Sequence, residues 1–345
     1  MGTAIKLPVT LHDGEAEAEV FVTASVGIAL SNGHDSGAAL LRDADAAMNR
    51  AKEHGRARCE VFDPRSRENA VDHLRTGNAL HRALERGEFE VHFQPVVDLE
   101  AGAVTGFEAL LRWRHPERGL VPPGEFIARA ESTGLIVPIG AWVLEEACRQ
   151  AARWQEVHRG QAPLTISVNL SPRQLAEPTL PAQVARIIAE TGVHPDSVWL
   201  EITETTLMHD AESAIGTLEA LQEQGVHIAV DDFGTGYSSL SYLKRFPVEA
   251  LKVDRTFVDG LGRDAEDTVI ATACVSLAHS LGLTAIAEGV ESHAQLAELR
   301  TLGCELAQGY LFAAPTSAPE LGERPAERVG WRPDPPPLRW RESGG

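Results

Sequence analysis

Cysteine is scarce in this sequence, and its spacing excludes the usual cysteine-based sites. Four cysteines occur among 345 residues, and no two of them form a Cys-x-x-Cys pair. Neither a zinc site nor a disulfide framework is therefore expected. Such cysteine usage is typical of proteins in a reducing cytoplasm.

Long apolar runs are missing as well. The most apolar window, residues 135–144, is much shorter than the roughly 20 residues that a membrane-spanning helix needs. The N-terminus lacks the basic and apolar pattern of a signal peptide. We therefore predict a cytoplasmic protein with no membrane segment.

Positive charge is in deficit, since 31 basic residues face 50 acidic ones and the formal net charge is −19. A protein that binds duplex DNA without sequence preference needs a basic face, so DNA is not an expected partner. A nucleotide substrate remains possible if metal ions neutralise its phosphates. The acidic excess could also serve solubility alone. The P-loop, His-Glu-x-x-His and Gly-x-Ser-x-Gly motifs are all absent from the sequence.

From residue 89 onward, apolar strand-like runs alternate with amphipathic helical segments, and 43% of the chain is hydrophobic, enough for a full core. This alternation predicts a parallel sheet with crossover helices. Eight units favour a (β/α)8 TIM-type barrel, an α/β fold, over an open sheet. The first two strands are too close for a crossover, so one of them should run antiparallel. The predicted strands are residues 92–97, 105–113, 165–170, 198–202, 226–231, 250–254, 284–288 and 305–311.

The two ends of the chain have their own patterns. Residues 1–63 contain a predicted strand at 20–28, a helix at 36–54 and a short strand at 58–62, a unit too small for a strong core of its own. We predict that residues 64–87 form a charged connecting helix. Residues after Pro315 are rich in Pro, Arg and Glu, and we expect a disordered tail over 319–345.

Polar side chains fall at comparable positions in the predicted barrel strands. A carboxylate within an apolar strand is costly unless it is paired or binds a metal. Because the strands of a barrel end at one mouth, these side chains should converge there. They are Glu108, Asn169, Glu201, Asp231, Asp232, Lys252, Glu288 and Gln308.

Oxygen ligands without His or Cys nearby favour Mg²⁺ or Mn²⁺ over zinc. The adjacent Asp231 and Asp232 suit a site with two ions, which fits hydrolysis of a phosphodiester. Lys252 could act on the attacking water or the phosphate, or it could simply pair with Asp254 in the core. The glycine-containing residues 232–239 could receive a phosphate or form an ordinary turn.

Eight short segments form a recognisable set of motifs: Gln94-Pro95, Glu108-Ala109-Leu110-Leu111-Arg112-Trp113, Ser167-Val168-Asn169-Leu170-Ser171, Leu200-Glu201-Ile202-Thr203-Glu204, Asp231-Asp232-Phe233-Gly234-Thr235-Gly236-Tyr237-Ser238-Ser239-Leu240, Leu251-Lys252-Val253-Asp254, Glu288-Gly289-Val290-Glu291 and Gln308-Gly309-Tyr310. Together they resemble the motifs of the EAL family over residues 74–315, and we assign residues 74–318 to this domain.

The resemblance implies hydrolysis of cyclic di-GMP to linear pGpG with two Mg²⁺ or Mn²⁺ ions, and a homodimer. It implies metal ligation by Glu108, Asn169, Glu201, Asp231, Asp232 and Glu288. Lys252 is then expected to position or deprotonate the attacking water, and Glu204 to hold the loop after Asp232. The expected substrate contacts are Gln94, Arg112, Gln308 and Asp254. Glu291 and Asp254 are expected to support the ligands, and Gln308 the site as a whole.

The N-terminal segment resembles the last part of a GGDEF, or diguanylate cyclase, domain. The matching residues are Thr23-Ala24-Ser25-Val26-Gly27-Ile28-Ala29, Ala44-Asp45-Ala46-Ala47-Met48 and Ala51-Lys52. The signature motif is absent, so this truncated remnant should not make cyclic di-GMP. Two alternatives to the hydrolase stay open, a receptor that binds cyclic di-GMP without cleaving it and a different phosphoesterase on the same barrel.

Overall fold

A computed structural model of the protein describes residues 6–13, 16–31, 36–53, 58–62, 77, 79–157, 163–209, 211–235 and 240–329. The chain divides into two compact units, residues 1–79 and 80–345. None of the helices within these described ranges combines the length and the apolar character that a membrane crossing needs.

The described residues before position 63 form two strand pairs and one helix. β1 (Lys6–Asp13) pairs antiparallel with β2 (Ala16–Thr23). β3 (Val26–Ile28) is followed by α1 (Gly37–Glu53) and pairs in parallel with β4 (Cys59–Val61). The predicted helix and short strand are confirmed. The single strand predicted over 20–28 was wrong, because this run divides between two separate sheets.

The contact between β3 and α1 explains a glycine in the first unit. A Cβ atom at Gly27 would lie 2.0 Å from the carbonyl oxygen of Ala44, on α1. No side chain fits in that space, so the strand and the helix backbone meet directly. Ala47 and Ala51 of the same helix are fully buried.

The second unit is a barrel with helices between its strands. Residues 79–86 are helical and lead into the first barrel strand, in agreement with the predicted connecting helix. Residues 64–76 and 78 of that predicted helix lie outside the described residues. The strands are β5 (Phe89–Asp98), β6 (Ala103–His115), β7 (Gly119–Val121), β8 (Thr165–Asn169), β9 (Val198–Thr203), β10 (His227–Phe233), β11 (Ala250–Val253), β12 (Thr284–Ala287), β13 (Leu306–Ala307) and β14 (Thr316–Ser317). The helices are α2 (Ile127–Thr133), α3 (Ile136–Val157), α4 (Pro172–Leu175), α5 (Leu180–Thr191), α6 (Glu204–His209), α7 (Ala211–Gln222), α8 (Leu240–Leu243), α9 (Arg255–Asp259), α10 (Ala265–Ser280), α11 (His293–Leu302), α12 (Ala318–Leu321) and α13 (Pro325–Arg328).

Eight of these strands close into a barrel, which confirms the predicted fold. Their order around the barrel is β5, β6, β8, β9, β10, β11, β12 and β13, and β13 pairs with β5 to close the ring. Every neighbouring pair from β6 to β13 is parallel. β5 runs antiparallel to both of its neighbours in the ring, as the short connection to β6 predicts.

The chain stays ordered past the last barrel strand. β14 pairs with β5 beside Phe93, and the indole nitrogen of Trp154 donates a hydrogen bond to the carbonyl oxygen of Gly322 at 3.1 Å. Leu321 and Val329 are buried. The predicted disorder was therefore wrong for residues 319–329, because these apolar anchors offset the proline content. The rest of the predicted tail, residues 330–345, lies outside the described residues.

Candidate metal and catalytic centre

The register of the parallel strands brings the predicted polar residues to one end of the barrel. Asn169, the last residue of β8, lies directly beside Glu201 of β9. Glu108 on β6 lies beside Ser167 of β8. Because parallel strands of a barrel share one carboxyl-terminal mouth, residues at these positions face a common centre.

Lys252 lies in the middle of this centre. Its side chain is 1% exposed, and its ammonium nitrogen lies 2.5 Å from Glu288 Oε1 and 2.6 Å from Glu201 Oε2. Asp231 Oδ1 and Glu108 Oε2 are at 3.4 Å and 3.6 Å. Four carboxylates from four different strands or strand ends therefore surround one buried cation.

The alternative interpretation, a core ion pair between Lys252 and Asp254, is wrong. The Asp254 carboxylate instead caps α9, where it accepts hydrogen bonds from the backbone nitrogen of Thr256 at 2.9 Å and from its hydroxyl group at 2.5 Å. Strand β11 ends at Val253, so Lys252 lies within the strand while Asp254 lies at the start of α9, and their side chains have different partners.

Two amide side chains hold Glu108. Asn169 Nδ2 donates to Glu108 Oε1 at 2.6 Å, and Gln308 Nε2 donates to Glu108 Oε2 at 2.6 Å. Gln308 Nε2 also donates to Glu288 Oε1 at 3.1 Å. These bonds fix the orientation of both carboxylates in a buried site.

Asp231 and Asp232 form a strained pair at the end of β10. Asp232 has a φ of 53°, a left-handed conformation that is rare for residues other than glycine. Its backbone nitrogen donates to Asp231 Oδ1 at 2.9 Å. The conformation turns the two adjacent carboxylates toward the same region, and one oxygen each from Asp231, Asp232 and Glu288 lies within 4.8 Å of the others.

Crowding of acids changes the pKa values in this centre. Burial, reinforced by Asp231 and Glu108, raises the pKa of Glu288 to about 8 in spite of Lys252. Burial and Asp231 raise the pKa of Asp232 to about 6. Burial likewise raises the pKa of Glu201 well above its usual value. For Lys252 burial alone would lower the pKa, but the surrounding carboxylates outweigh it and raise the pKa well above its usual value.

This donor set fits a hard divalent cation. The five acids Glu108, Glu201, Asp231, Asp232 and Glu288, with the Lys252 ammonium, carry a net charge of −4 when all are ionised. Such an excess of negative charge in a largely buried site is costly without a counter-ion. Carboxylate and amide oxygens are the donors that Mg²⁺ and Mn²⁺ prefer.

Glu204 lies behind the turn that follows the aspartate pair. It is 1% exposed, and its Oε2 accepts a hydrogen bond from the backbone nitrogen of Gly234 at 2.9 Å. A Cβ atom at Gly234 would lie 2.9 Å from the ring of Phe257. The Glu204 carboxylate and the Phe257 ring therefore hold the turn at Gly234 in place. Residues 236–239 of the predicted loop lie outside the described residues.

The expected substrate contacts lie around the centre. Gln94 is next to Glu108 in the register of β5 and β6, and its amide donates to Ala313 O at 3.3 Å. The Arg112 guanidinium is partly buried and lowered in pKa by that burial. Asp254 lies close enough to Asp232 to contribute to the raised pKa of that residue. Glu291 is exposed, and its described contact is made by its backbone nitrogen to Gln295.

Two buried glutamines near the site escaped the sequence prediction. Gln174 follows Asn169, Gln295 follows Glu288, and each forms a capping box with a serine three residues earlier. The sequence signal was available, because Ser171-Pro-Arg-Gln174 and Ser292-His-Ala-Gln295 match the capping-box pattern.

Comparison with known proteins identifies the family. The sequence model of the family described as "EAL domain" matches residues 77–315, more than half of the chain. The chain belongs to the EAL domain family. It is 45% identical over 304 residues to the bifunctional diguanylate cyclase/cyclic di-GMP phosphodiesterase MucR of Pseudomonas aeruginosa, covering 88% of this chain and 44% of that protein. It is 41% identical over 301 residues to the cyclic di-GMP phosphodiesterase PdeR of Escherichia coli, covering 87% and 45%.

Solved structures agree with the EAL assignment. The PaMucR phosphodiesterase in complex with c-di-GMP superposes with a TM-score of 0.69 at 46% identity, covering 72% of this chain and 99% of that one. The EAL domain of DcpA from Mycobacterium smegmatis gives a TM-score of 0.60 at 36% identity, covering 70% and 98%. The chain spans less than half the length of MucR and PdeR.

Proposed function

We propose that the EAL barrel of this chain hydrolyses one phosphodiester bond of cyclic di-GMP and releases linear pGpG. The observation that carries the proposal is the cluster of four carboxylates within 3.6 Å of the buried Lys252 ammonium. The names of MucR and PdeR, and the c-di-GMP bound to PaMucR, support the choice of substrate.

Two divalent ions, Mg²⁺ or Mn²⁺, would balance the net charge of −4. Glu108, Asn169, Glu201 and Asp231 would hold the first, Asp231 and Asp232 would hold the second, and Glu288 would complete the site. When bound, such ions lower the pKa of a ligated water and neutralise charge on the phosphate. The strained φ of 53° at Asp232 supports this assignment, because it directs both aspartates to one region.

The remaining polar residues have separate tasks in the proposed reaction. Lys252, protonated and buried, donates hydrogen bonds and so orients the attacking water or a phosphate oxygen. Gln94, Gln308, Asp254 and the Arg112 guanidinium contact the substrate, and a guanidinium suits a phosphate because it can donate two parallel bonds. Glu204 keeps the turn at Gly234 in position, and Glu291 supports the loop that carries Glu288.

We also propose the arrangement of the whole chain. Residues 74–318 act as the catalytic domain and pair with a second copy as a homodimer, which sedimentation can measure. Within residues 1–63, the chain corresponds to the last part of a GGDEF domain. The parallel β3–α1–β4 unit supports this assignment. The alignment with the bifunctional MucR covers 304 residues, which is more than the number of residues after residue 77, so it includes part of the segment that precedes the EAL match.

The test is turnover by the full chain. Purified protein is incubated with cyclic di-GMP and Mn²⁺, and pGpG is followed by chromatography. The variant Glu108→Gln keeps the shape of the side chain but removes its charge. We expect a loss of at least about 100-fold, because even residues that only support metal ligands typically cost 10–100-fold. Glu117→Gln, on the exposed turn after β6, is the matched control and should keep full activity.

Two results would contradict the proposal. Binding of cyclic di-GMP with metal present and no pGpG after hours would indicate a receptor. Faster hydrolysis of linear or unrelated diesters in a competition assay would indicate a different phosphoesterase.

A further inference from the structure

The loop between β12 and α11 carries Glu288, which lies 2.5 Å from Lys252. It is held by Gln295, a residue in the first turn of α11 whose side chain is 4% exposed. Gln295 Oε1 accepts hydrogen bonds from the backbone nitrogens of Glu291 and Ser292 at 2.9 Å and 2.8 Å, and from the Ser292 hydroxyl group at 3.0 Å.

The other end of the same amide reaches a different element. Gln295 Nε2 donates to the carbonyl oxygen of Val258 at 3.0 Å, and this bond is buried. Val258 belongs to α9, which starts three residues after Lys252. One side chain therefore connects the loop that carries Glu288 with the helix that follows Lys252.

Two close contacts hold the part of the loop next to Glu288. A Cβ atom at Gly289 would lie 2.6 Å from the Cβ of Arg255 on α9. On the other side, a Cβ atom at Gly309 would lie 2.2 Å from the backbone nitrogen of Val290, which itself donates to Gln308 O at 3.1 Å. A displacement of α9 from the loop would therefore be passed to Glu288 and to its neighbours.

A comparison with the capping box at Gln174 shows that the hydrogen bond from Gln295 to α9 is not part of helix capping itself. Gln174 also caps its own helix through Ser171, but its amide packs against Gly140 of α3. Capping alone does not require a bond like the one from Gln295 to Val258.

We propose that Gln295 is a positioning residue, which fixes the separation of Glu288 and Lys252 by tying the β12–α11 loop to α9. This inference rests on the proposed hydrolysis for its kinetic consequence, while its structural part concerns the placement of a metal ligand. A ligand held by such an outer contact typically loses 10–100-fold in metal affinity or activity when the contact is removed.

Two substitutions separate the capping hydrogen bonds accepted by Gln295 Oε1 from the hydrogen bond that Gln295 Nε2 donates to Val258. Gln295→Leu removes both. Gln295→Glu keeps the accepting oxygen and gives the Ser-x-x-Glu form of the capping box, but it removes the donor to Val258. Gln224→Leu is the matched control, because Gln224 Nε2 also donates to a carbonyl of another helix, Pro181 O at 2.8 Å. Gln224 precedes the amino-terminal end of β10, whereas Asp231 and Asp232 lie toward its carboxyl-terminal end.

The experiment measures kcat and KM for cyclic di-GMP, and Mn²⁺ binding by calorimetry, on the full-length variants. For both Gln295 variants we expect kcat to fall about 10- to 100-fold with KM within about twofold, and the Mn²⁺ dissociation constant to rise about 10-fold. Gln224→Leu should match the wild type in all three quantities. If Gln295→Leu fails to fold, as judged by circular dichroism, Gln295→Glu alone decides the question.

Wild-type kcat and Mn²⁺ affinity in Gln295→Glu would overturn the proposal, because Gln295 would then be only a helix cap. Should the wild-type chain make no pGpG, the proposed function fails but calorimetry still tests this inference. Weaker Mn²⁺ binding in Gln295→Glu than in Gln224→Leu would support it, and equal binding would reject it.

Discussion

Lys252→Met is the perturbation that most directly tests the charge balance of the centre. Methionine is similar in length to lysine, so the packing of this fully enclosed side chain is largely kept while the positive charge is lost. Four carboxylates, at 2.5 to 3.6 Å from the lost ammonium, then face each other without a cation.

The expected cost follows from the burial of the pair. Removing one partner of a buried ion pair destabilises a protein by about 3–5 kcal/mol. In a domain of roughly 150–250 residues, each kcal/mol lowers Tm by about 2–4 °C. The metal-free variant should therefore melt roughly 6–20 °C below the wild type at pH 8. The difference should shrink at pH 5, because protonated carboxyl groups no longer need the ammonium.

Tryptophan fluorescence is a suitable assay, because Trp113, Trp142, Trp154 and Trp199 all lie in the described part of the second unit. Melting is followed with EDTA and with Mn²⁺, which should rescue Lys252→Met more than it raises the wild type. Lys244→Met, at an exposed position, is the control and should shift Tm by less than about 2 °C, as expected for surface changes within about 0.5 kcal/mol. A metal-free Lys252→Met protein as stable as this control at pH 8 would refute the charge argument.

Two further predictions follow from the same geometry. Because the pKa of Glu288 is raised to about 8 and that of Asp232 to about 6, the folded state binds more protons than the unfolded state from about pH 4.5 to 8. Tm measured in EDTA should therefore fall as pH rises through this window, and Mn²⁺ should raise Tm more at pH 8 than at pH 6, because binding requires ionised carboxylates; a Tm in EDTA that rises with pH would contradict the pKa directions. Gly309→Ala should lower stability by about 1–3 kcal/mol and slow turnover, because its Cβ would lie 2.2 Å from Val290. Gly216→Ala, on α7 with open space around it, should be neutral or stabilising in denaturant titrations, and equal behaviour of the two variants would argue against the close contact.

The barrel and most of its centre are predictable from sequence because they depend on local patterns. The alternation of apolar strands with helices predicts the eight-stranded ring, and polar residues at strand ends converge through the register of the parallel pairs. The single strand predicted over residues 20–28 fails because pairing partners, rather than composition, divide it. The prediction of disorder after Pro315 fails for a similar reason. The order of this segment depends on a hydrogen bond from Trp154 to Gly322, which is far away in sequence.

The partners of Lys252 show why residue types alone are not enough. Asp254 is close to Lys252 in sequence, and a local pair was a reasonable hypothesis. The structure gives the lysine four carboxylates that come from sequence positions 108, 201, 231 and 288. Only the tertiary register brings these together. The tie from Gln295 to Val258 is likewise invisible in sequence, although its capping box is not, because it depends on how α9 packs against α11.

The position of Lys252 also connects metal ligation with catalysis. Glu201 and Glu288 give the ammonium its two closest contacts, and they belong to the proposed ligand set. An oxygen that ligates a divalent ion has less negative charge to offer a neighbouring ammonium. If Glu201 and Glu288 held divalent ions as proposed, the attraction that these two carboxylates exert on the Lys252 ammonium would weaken. The lysine would then be available to donate to a phosphate oxygen or to orient a water, which links its proposed role to metal binding.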